Sequence, residues 1–358
     1  MKVLGIMSGS SMDGIDLALC DVENNAGSWS VKIIKGVTIP MNETWRVRLS
    51  QVKYQNPEVY AKTDVFFGRY LGELALAFEQ ETGQKIDLVA SHGHTVFHDP
   101  NGWVTAQIGD GATIYGVSKI PTVTNFRRAD VAAGGQGAPL VTVGDELLFA
   151  EYDACINLGG FCNASIKGQE GRTSFDIVPC NILLNRLARE RKQKFDKDGE
   201  IGENGQIIYP LLEKLNAIPF YKSPAPKSLG RDWINKELWH VVRDFDKDPV
   251  EDRMKTIIMH ISTQIAIALD RYASKPVEEL KILLTGGGTW NKTLVDFIST
   301  ETDADVIIPD TDIVDFKEAM VFALLGAMRV NGETNVNTES TGASFPIVAG
   351  SLDGVIKN

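Results

Sequence analysis

Val3-Leu4-Gly5-Ile6-Met7-Ser8-Gly9-Ser10-Ser11-Met12-Asp13-Gly14-Ile15-Asp16-Leu17-Ala18-Leu19 and Ala154-Cys155-Ile156-Asn157-Leu158-Gly159-Gly160-Phe161-Cys162-Asn163-Ala164-Ser165 form a matched pair of segments. Each reads as strand, tight polar turn, strand. Glycines let the backbone approach a phosphate closely, and successive backbone N–H groups together with hydroxyls supply donors to its oxygens. Two such turns about half a chain apart imply two lobes closing on one polyphosphate. The first reading is therefore a nucleotide-dependent phosphotransferase.

The rest of the chain agrees with that class. At 358 residues it exceeds what one core usually supports, so two domains are expected. A formal net charge of −11 argues against nucleic acid or an anionic membrane as partner, since both want a basic face. Met1-Lys2-Val3-Leu4-Gly5 reaches Ser8 and Gly9 before a signal-type apolar core can form, and no apolar run is long enough to span a bilayer. A cytoplasmic protein is expected. Cys20, Cys155, Cys162 and Cys180 show no Cys-x-x-Cys spacing and read as reduced structural thiols.

Periodicity alternates between helix and strand, giving an α/β class. Phe66, Tyr70, Leu74 and Phe78 repeat on one helical face, and Gly83 ends that helix before a strand, Ile86-Asp87-Leu88-Val89-Ala90, which ends in Ser91-His92-Gly93-His94-Thr95. Ile258, Ile261, Ile265, Leu269 and Tyr272 mark a long amphipathic helix, broken by Pro276 before the strand Leu280–Leu284. That strand runs into Thr285-Gly286-Gly287-Gly288-Thr289-Trp290-Asn291. A glycine triplet between strand and helix makes a wall for an adenine or ribose, because nothing projects from it. Residues 189–204 read as a solvated helix end running into an exposed loop.

Four groups of residues carry candidate chemistry. Asp13 and Asp16, among Ser8, Ser10 and Ser11, read as a phosphate cradle with a carboxylate near Mg²⁺ or the γ-phosphate, or as a hairpin whose small residues satisfy turn geometry. His92, His94 and His98 have metal-like spacing, but no carboxylate or Cys set completes a zinc site, so they read as polar groups at the mouth of a cleft. Arg127, Arg128 and Asp130, followed by Gly134-Gly135-Gln136-Gly137, read as contacts to substrate hydroxyls or phosphate on a closing loop, and also as an interdomain hinge. Asp176, at a strand end before the Pro179 turn, reads as a general base or as an Asx turn or cap for the following helix.

Several motifs together resemble one family. Gly5 to Asp16; Ser91-His92-Gly93 with Thr95, His98 and Pro100; Gln107-Ile108-Gly109; Phe126-Arg127 with Asp130 to Leu140; and Asn157-Leu158-Gly159-Gly160-Phe161 are similar to the anhydro-N-acetylmuramic acid kinases. Pro226-Lys227-Ser228 with Gly230-Arg231, the Gly286–Gly288 triplet, Glu318-Ala319 with Phe322-Ala323, and Thr341-Gly342-Ala343 extend the resemblance along essentially the whole chain. It implies a two-lobed sugar kinase and actin (ribonuclease H-like) fold with ATP held in a cleft between lobes. It also implies a reaction in which ATP and water convert 1,6-anhydro-N-acetylmuramic acid to N-acetylmuramic acid 6-phosphate during cell-wall recycling.

By the same resemblance Asp176 is the catalytic base. Ser8, Gly9, Ser10, Ser11, Asp13, Gly14, Asn157, Gly159 and Gly160 hold ATP phosphates, with Gly286, Gly287 and Gly288 beside the nucleoside and Asp13 on Mg²⁺. His94, Thr95, Arg127, Asp130 and Glu318 are the expected sugar contacts, and a homodimer is implied. The chain departs from the family pattern at His94 (commonly Gln), Asn125 (Asp), Ile177, Val178 and Cys180 (within Thr-Gly-Pro-Gly-Asn) and Asn185 (Asp). Val178 and Cys180 are bulkier and stand where they would narrow the pocket by the base. The alternatives are a kinase for another anhydrosugar such as levoglucosan, and an ATP-binding sensor without turnover. The expected lobes are residues 1–120 with about 340–358, and 121–339.

Overall fold

The computed structural model describes residues 1–9, 12 and 14–356. They divide into two compact units, Met1–Leu148 with Phe316–Asn358, and Phe149–Asp315.

In the first unit the described residues form a seven-stranded sheet. Its strands are β1 (Lys2–Ser8), β2 (Gly14–Asn25), β3 (Ser28–Pro40), β4 (Leu88–Asp99), β5 (Val104–Ile108), β6 (Thr122–Thr124) and, near the C-terminus, β12 (Ser351–Asp353). The order is β12-β6-β4-β1-β2-β3, with β5 on β4. Strands β1, β2 and β3 are a meander, and β4 and β6 continue it in parallel with β1. Val3, Leu4, Gly5 and Ile6 are all buried, as expected of a central strand covered on both faces. One face packs Leu4, Ile6, Ile15, Leu17 and Leu19 against Phe67, Leu71 and Ile114. On the other, Gly5 lies so close to the Ala319 backbone that a Cβ has no room.

The helix Pro57–Thr82 begins where Asn56 accepts from Val59 N at 2.9 Å and ends at Gly83, φ 62°. Its buried face is Phe67, Leu71, Ala75 and Phe78, one residue round from the expected stripe, and Phe66 is exposed beside the Arg48 guanidinium. Gly68 and Gly72 cause the rotation, since only they let Asp110 and Ile114 of the neighbouring helical segment approach. The histidine segment expected at a strand end lies inside β4, because pairing with β5 carries that strand on to Asp99.

The second unit holds five strands among its described residues. They are β7 (Ala154–Leu158), β8 (Phe161–Gly168), β9 (Gly171–Pro179), β10 (Lys281–Thr285) and β11 (Asp305–Ile307), ordered β11-β10-β7-β8-β9. Again a meander is extended by two strands parallel to its first. The two sheets thus repeat one topology, the doubled ribonuclease H-like α/β fold of sugar kinases and actin. One face of this sheet is apolar: Ile156, Ala164, Phe175 and Leu284 join the core with Leu183, Ile258, Ile261 and Leu294 of the helices Asn181–Ala188, Val250–Tyr272 and Lys292–Thr302. The opposite face carries Asn157, Asn163, Asp176 and Thr285.

The unit boundaries fall elsewhere than at 120 and 340. Residues 121–148 and 316–339 belong with the first sheet because Phe316 packs on Gly36, Val321 on Gly144 and Gly326 on Ala90. Residues 189–204 are mostly exposed, as expected, but Asp196, Gly199, Ile201 and Gly202 are buried. Asp196 is buried and accepts from Ile201 N at 2.8 Å and Gly202 N at 3.2 Å, which nucleates the short helix Glu200–Glu203.

Candidate functional site

In the first unit β1 ends at Ser8 and β2 starts at Gly14, with Gly9 O accepting from Met12 N at 3.2 Å across the turn. Ser10, Ser11 and Asp13, the other phosphate-turn candidates and the magnesium carboxylate, lie outside the described residues. Ser8 is buried, its Oγ 3.3 Å from His94 Nδ1, and the buried His94 ring stands edge-on to Phe67. Thr95 follows on β4, opposite Gln107.

Arg127 organises the polar groups around it. Its Nε donates to His92 Nε2 at 3.0 Å, so the His92 proton is on Nδ1 and goes to Gly93 O at 3.0 Å. Burial and the adjacent guanidinium push His92 well below the usual histidine range. Burial also lowers Arg127 to about 10, against the attraction of Glu318 and Asp130. Burial, then the Asp16 carboxylate, raise Glu318, while Arg127 and Lys317 pull it back. Arg127, Glu318 and Asp16 therefore share one electrostatic cluster. The three histidines have separate partners, His94 with Ser8, His92 with Arg127 and His98 with Thr105, and no metal-binding group of three is found among the described residues.

Asp130 differs from its expected role. It is fully buried, with Oδ2 accepting from Gly137 N at 2.6 Å and Oδ1 from Thr341 Oγ1 at 2.7 Å. Both oxygens are engaged, so this carboxylate pins residues 135–137 to Thr341 and is not placed to grip a substrate. Asn125, at φ 59°, occupies a left-handed position that Asn tolerates well.

In the second unit the predicted residues come together on neighbouring strands. Gly159 and Gly160 are the turn between β7 and β8, and their carbonyls accept the first amides of the next helix: Cys180 N to Gly160 O at 2.9 Å and Asn181 N to Gly159 O at 3.1 Å. Asn181 Nδ2 donates to Leu158 O at 2.8 Å. Gly286, φ 82°, and Gly288 abut Leu158, with Asn157 Oδ1 against Gly286. At Gly160 and Gly287 the direction of a Cβ is open. This bare, amide-rich backbone suits a nucleotide.

Asp176 lies one strand beyond the turn. Its backbone N donates to Lys227 O at 3.0 Å, and its Oδ2 accepts from Leu229 N at 2.7 Å, so residues 227–229 line the outer edge of β9. Burial raises its carboxyl to about 6, with the Leu229 amide acting in the opposite sense. A register shift between Cys162 and Asn163 leaves Ile177 as an extra residue on β9. Ile177, Val178 and Cys180 are consequently all buried in this unit's core. The bulkier residues expected beside the base are turned away from its face of the sheet.

Sequence reasoning missed Leu229 and Lys227, which hold Asp176 through backbone groups that no residue type announces. It also left Asn181 and Asn163 unassigned. The former had a signal, its place directly after the turn that follows the base.

A family model described as anhydro-N-acetylmuramic acid kinase matches residues 1–353. Among relatives, the anhydro-N-acetylmuramic acid kinase of Acaryochloris marina (strain MBIC 11017) is 32% identical over 383 residues, covering 98% of this chain and 99% of the relative. That of Francisella tularensis subsp. novicida (strain U112) is 31% identical over 373 residues, covering 98% of each. That of Caldanaerobacter subterraneus subsp. tengcongensis is 30% identical over 381 residues, with 98% and 96% covered. With this match over nearly the whole chain and these relatives, the chain belongs to the anhydro-N-acetylmuramic acid kinase family.

Proposed function

We propose that this chain uses ATP and water to convert 1,6-anhydro-N-acetylmuramic acid into N-acetylmuramic acid 6-phosphate and ADP, as a cytoplasmic homodimer. The observation that carries the reading is Asp176: a carboxylate held by the Leu229 amide, tuned by burial to about 6, on the same sheet as the glycine turn Gly159-Gly160. A base with that value is ionised at neutral pH yet basic enough to take a proton.

In this mechanism Asp176 removes a proton from water as the water oxygen bonds to the anomeric carbon. The C1–O6 bond breaks, O6 bonds to the γ-phosphorus, and the bond from that phosphorus to ADP breaks. Asn157, Gly159 and Gly160, with Ser8, Gly9, Ser10, Ser11 and Gly14, are assigned to the phosphates, and Gly286, Gly287 and Gly288 to the nucleoside. Asp13 is the carboxylate assigned to Mg²⁺, which would offset the charge of the ATP phosphates. Arg127 and Glu318 are assigned to the sugar, with His94 and Thr95. Asp130 supports the loop beside Arg127. The family's sugar favours the muramic substrate over levoglucosan, and a water-activating carboxylate has no use in a sensor.

The test is ADP release from Mg-ATP with 1,6-anhydro-N-acetylmuramic acid, with levoglucosan and with no sugar, for wild type and Asp176→Asn. Turnover that requires the muramic sugar and falls at least a hundredfold in the variant is expected. Preference for levoglucosan overturns the substrate, and ATP binding without ADP release overturns the reaction.

A further inference from the structure

Strand β4 carries one residue more than β1 where the two run side by side: Ile6 pairs with Ser91 and Ser8 with His94, so Met7 stands opposite both His92 and Gly93. Such a bulge re-aims a side chain. Gly93 adopts φ 73°, and a Cβ there would lie 2.5 Å from Ile108 O, so the bulge needs glycine. The side chain it re-aims is His92. That imidazole is 4% exposed, packs on Phe322 with ring centroids 4.8 Å apart, and has Nδ1 3.0 Å from Gly93 O. Its other nitrogen, Nε2, is 3.0 Å from Arg127 Nε. An arginine only donates, so Nε2 offers its lone pair and the proton sits on Nδ1, the neutral tautomer. Burial, then the Arg127 charge, keep the ring neutral by holding it well below the usual histidine range.

Arg127 is held at a second point. Its Nη1 donates to Gly137 O at 2.5 Å, and Gly137 N donates in turn to Asp130 Oδ2 at 2.6 Å. Asp130 Oδ1 accepts from Thr341 Oγ1 at 2.7 Å, so the carbonyl that meets Arg127 belongs to a pinned loop. Two bonds to different nitrogens, one from a strand and one from a loop, fix both the position and the plane of a guanidinium. Both acceptors are uncharged, so the grip itself does not neutralise Arg127. The arginine is only half-buried, whereas His92 is sealed from solvent.

We propose that His92 is a positioning residue for sugar binding, which holds the Arg127 guanidinium in the orientation that meets the sugar and does not touch the sugar itself. This rests on the assignment of Arg127 to the sugar. Ordering a flexible arginine on binding costs side-chain entropy, and a guanidinium already held costs less. The bulge, the Gly93 carbonyl and Phe322 prepare the acceptor: the first aims the ring, the second fixes its tautomer and the third fixes its tilt. An apolar ring at position 92 would keep the packing and lose the acceptor, leaving Gly137 O to hold Arg127.

The experiment compares wild type with His92→Phe, which keeps a ring against Phe322 but has no acceptor, and with His92→Gln, whose carbonyl oxygen returns one near the place of Nε2. In the sugar-free protein at neutral pH, ¹⁵N NMR is expected to show His92 protonated on Nδ1 and bare on Nε2. The Arg127 Nε–H signal, assigned by Arg127→Lys, is expected to be sharp and slow to exchange in wild type, to exchange faster in His92→Phe and to recover in His92→Gln. In turnover with Mg-ATP and 1,6-anhydro-N-acetylmuramic acid, His92→Phe is expected to raise KM for the sugar roughly tenfold or more, and His92→Gln less, with KM for ATP within about twofold of wild type. A proton on Nε2, or a sugar KM unchanged in His92→Phe, overturns the proposal, and so do equal rises in both KM values, which mark a merely structural role. If His92→Phe fails to fold, the wild-type tautomer and the His92→Gln comparison still decide. Failure of the wild type to turn over the muramic sugar would overturn the function above, while the His92 and Arg127 signals would still show whether the one holds the other.

Discussion

Asp176, the proposed base, would couple chemistry to stability through one half-buried carboxylate. Its value of about 6 in the folded chain lies above its ordinary 3.8 because burial penalises the charged form. The folded state therefore carries a penalty that is full above pH 6 and fades as pH falls from 6 towards 3.8. Asp176→Asn removes it, so the variant should lose turnover yet gain up to about 3 kcal/mol of stability at pH 7.5, at about 1.36 kcal/mol per pH unit. Denaturant unfolding at pH 7.5 and pH 4 checks this: the gain should be present at the higher pH and nearly absent at the lower. Wild-type turnover should fall off as pH drops through about 6. Asp130 is the contrasting case, a carboxylate whose two oxygens are consumed by Gly137 and Thr341, so that its work is to shape a loop.

Among elements, the junction after β10 separates a glycine that the fold requires from one with open space where its Cβ would be. Gly286 has φ 82°, and a Cβ there would run into Asn157 and Leu158. Gly287 has only Asn181 Nδ2, at 3.9 Å, near its missing Cβ. Gly286→Ala is expected to cost about 1–3 kcal/mol through strain as well as weaken ATP binding. Gly287→Ala should leave stability within about 0.5 kcal/mol and raise KM for ATP several-fold, because its methyl would occupy the nucleoside wall. Thermal unfolding and ATP titration of the two variants check the distinction, and equal ATP affinity in Gly287→Ala and wild type would remove the triplet from the nucleotide site.

For the whole molecule, each unit has its own sheet and core, and the chain passes between them twice, near residues 148 and 315. Beside these passages Asp145 and Lys317 form a buried ion pair at 2.5 Å within the first unit. The homodimer assigned above predicts a solution mass twice the 39.2 kDa of one chain by light scattering, and a mass of one chain would reject it. If ATP binds the folded form alone, a concentration 100 times its Kd stabilises it by about 2.7 kcal/mol, readable as a rise in the unfolding midpoint.

Much of this was legible in the linear chain. The paired turns announced a duplicated strand-turn-strand unit because glycine and serine at a tight bend between apolar runs leave little other choice. The helix that ends at Tyr272 and the strand–glycine–helix passage after Lys281 followed from periodicity, with Pro276 as punctuation. Asp176 as a strand carboxylate was visible too, although β9 carries on past it to Pro179, and the choice between cap and base was not legible. That choice depends on long-range pairing: β9 meets β8 with one residue bulged, and residues 227–229, some fifty positions away, bring an amide to the carboxylate. The face of the Pro57–Thr82 helix turned by one residue for a similar reason, since Gly68 and Gly72 matter only once a neighbour arrives to fill the space they leave. Local propensity and hydrophobic period are properties of neighbours in sequence, whereas burial, register and the tuning of a carboxyl group are set by neighbours in space.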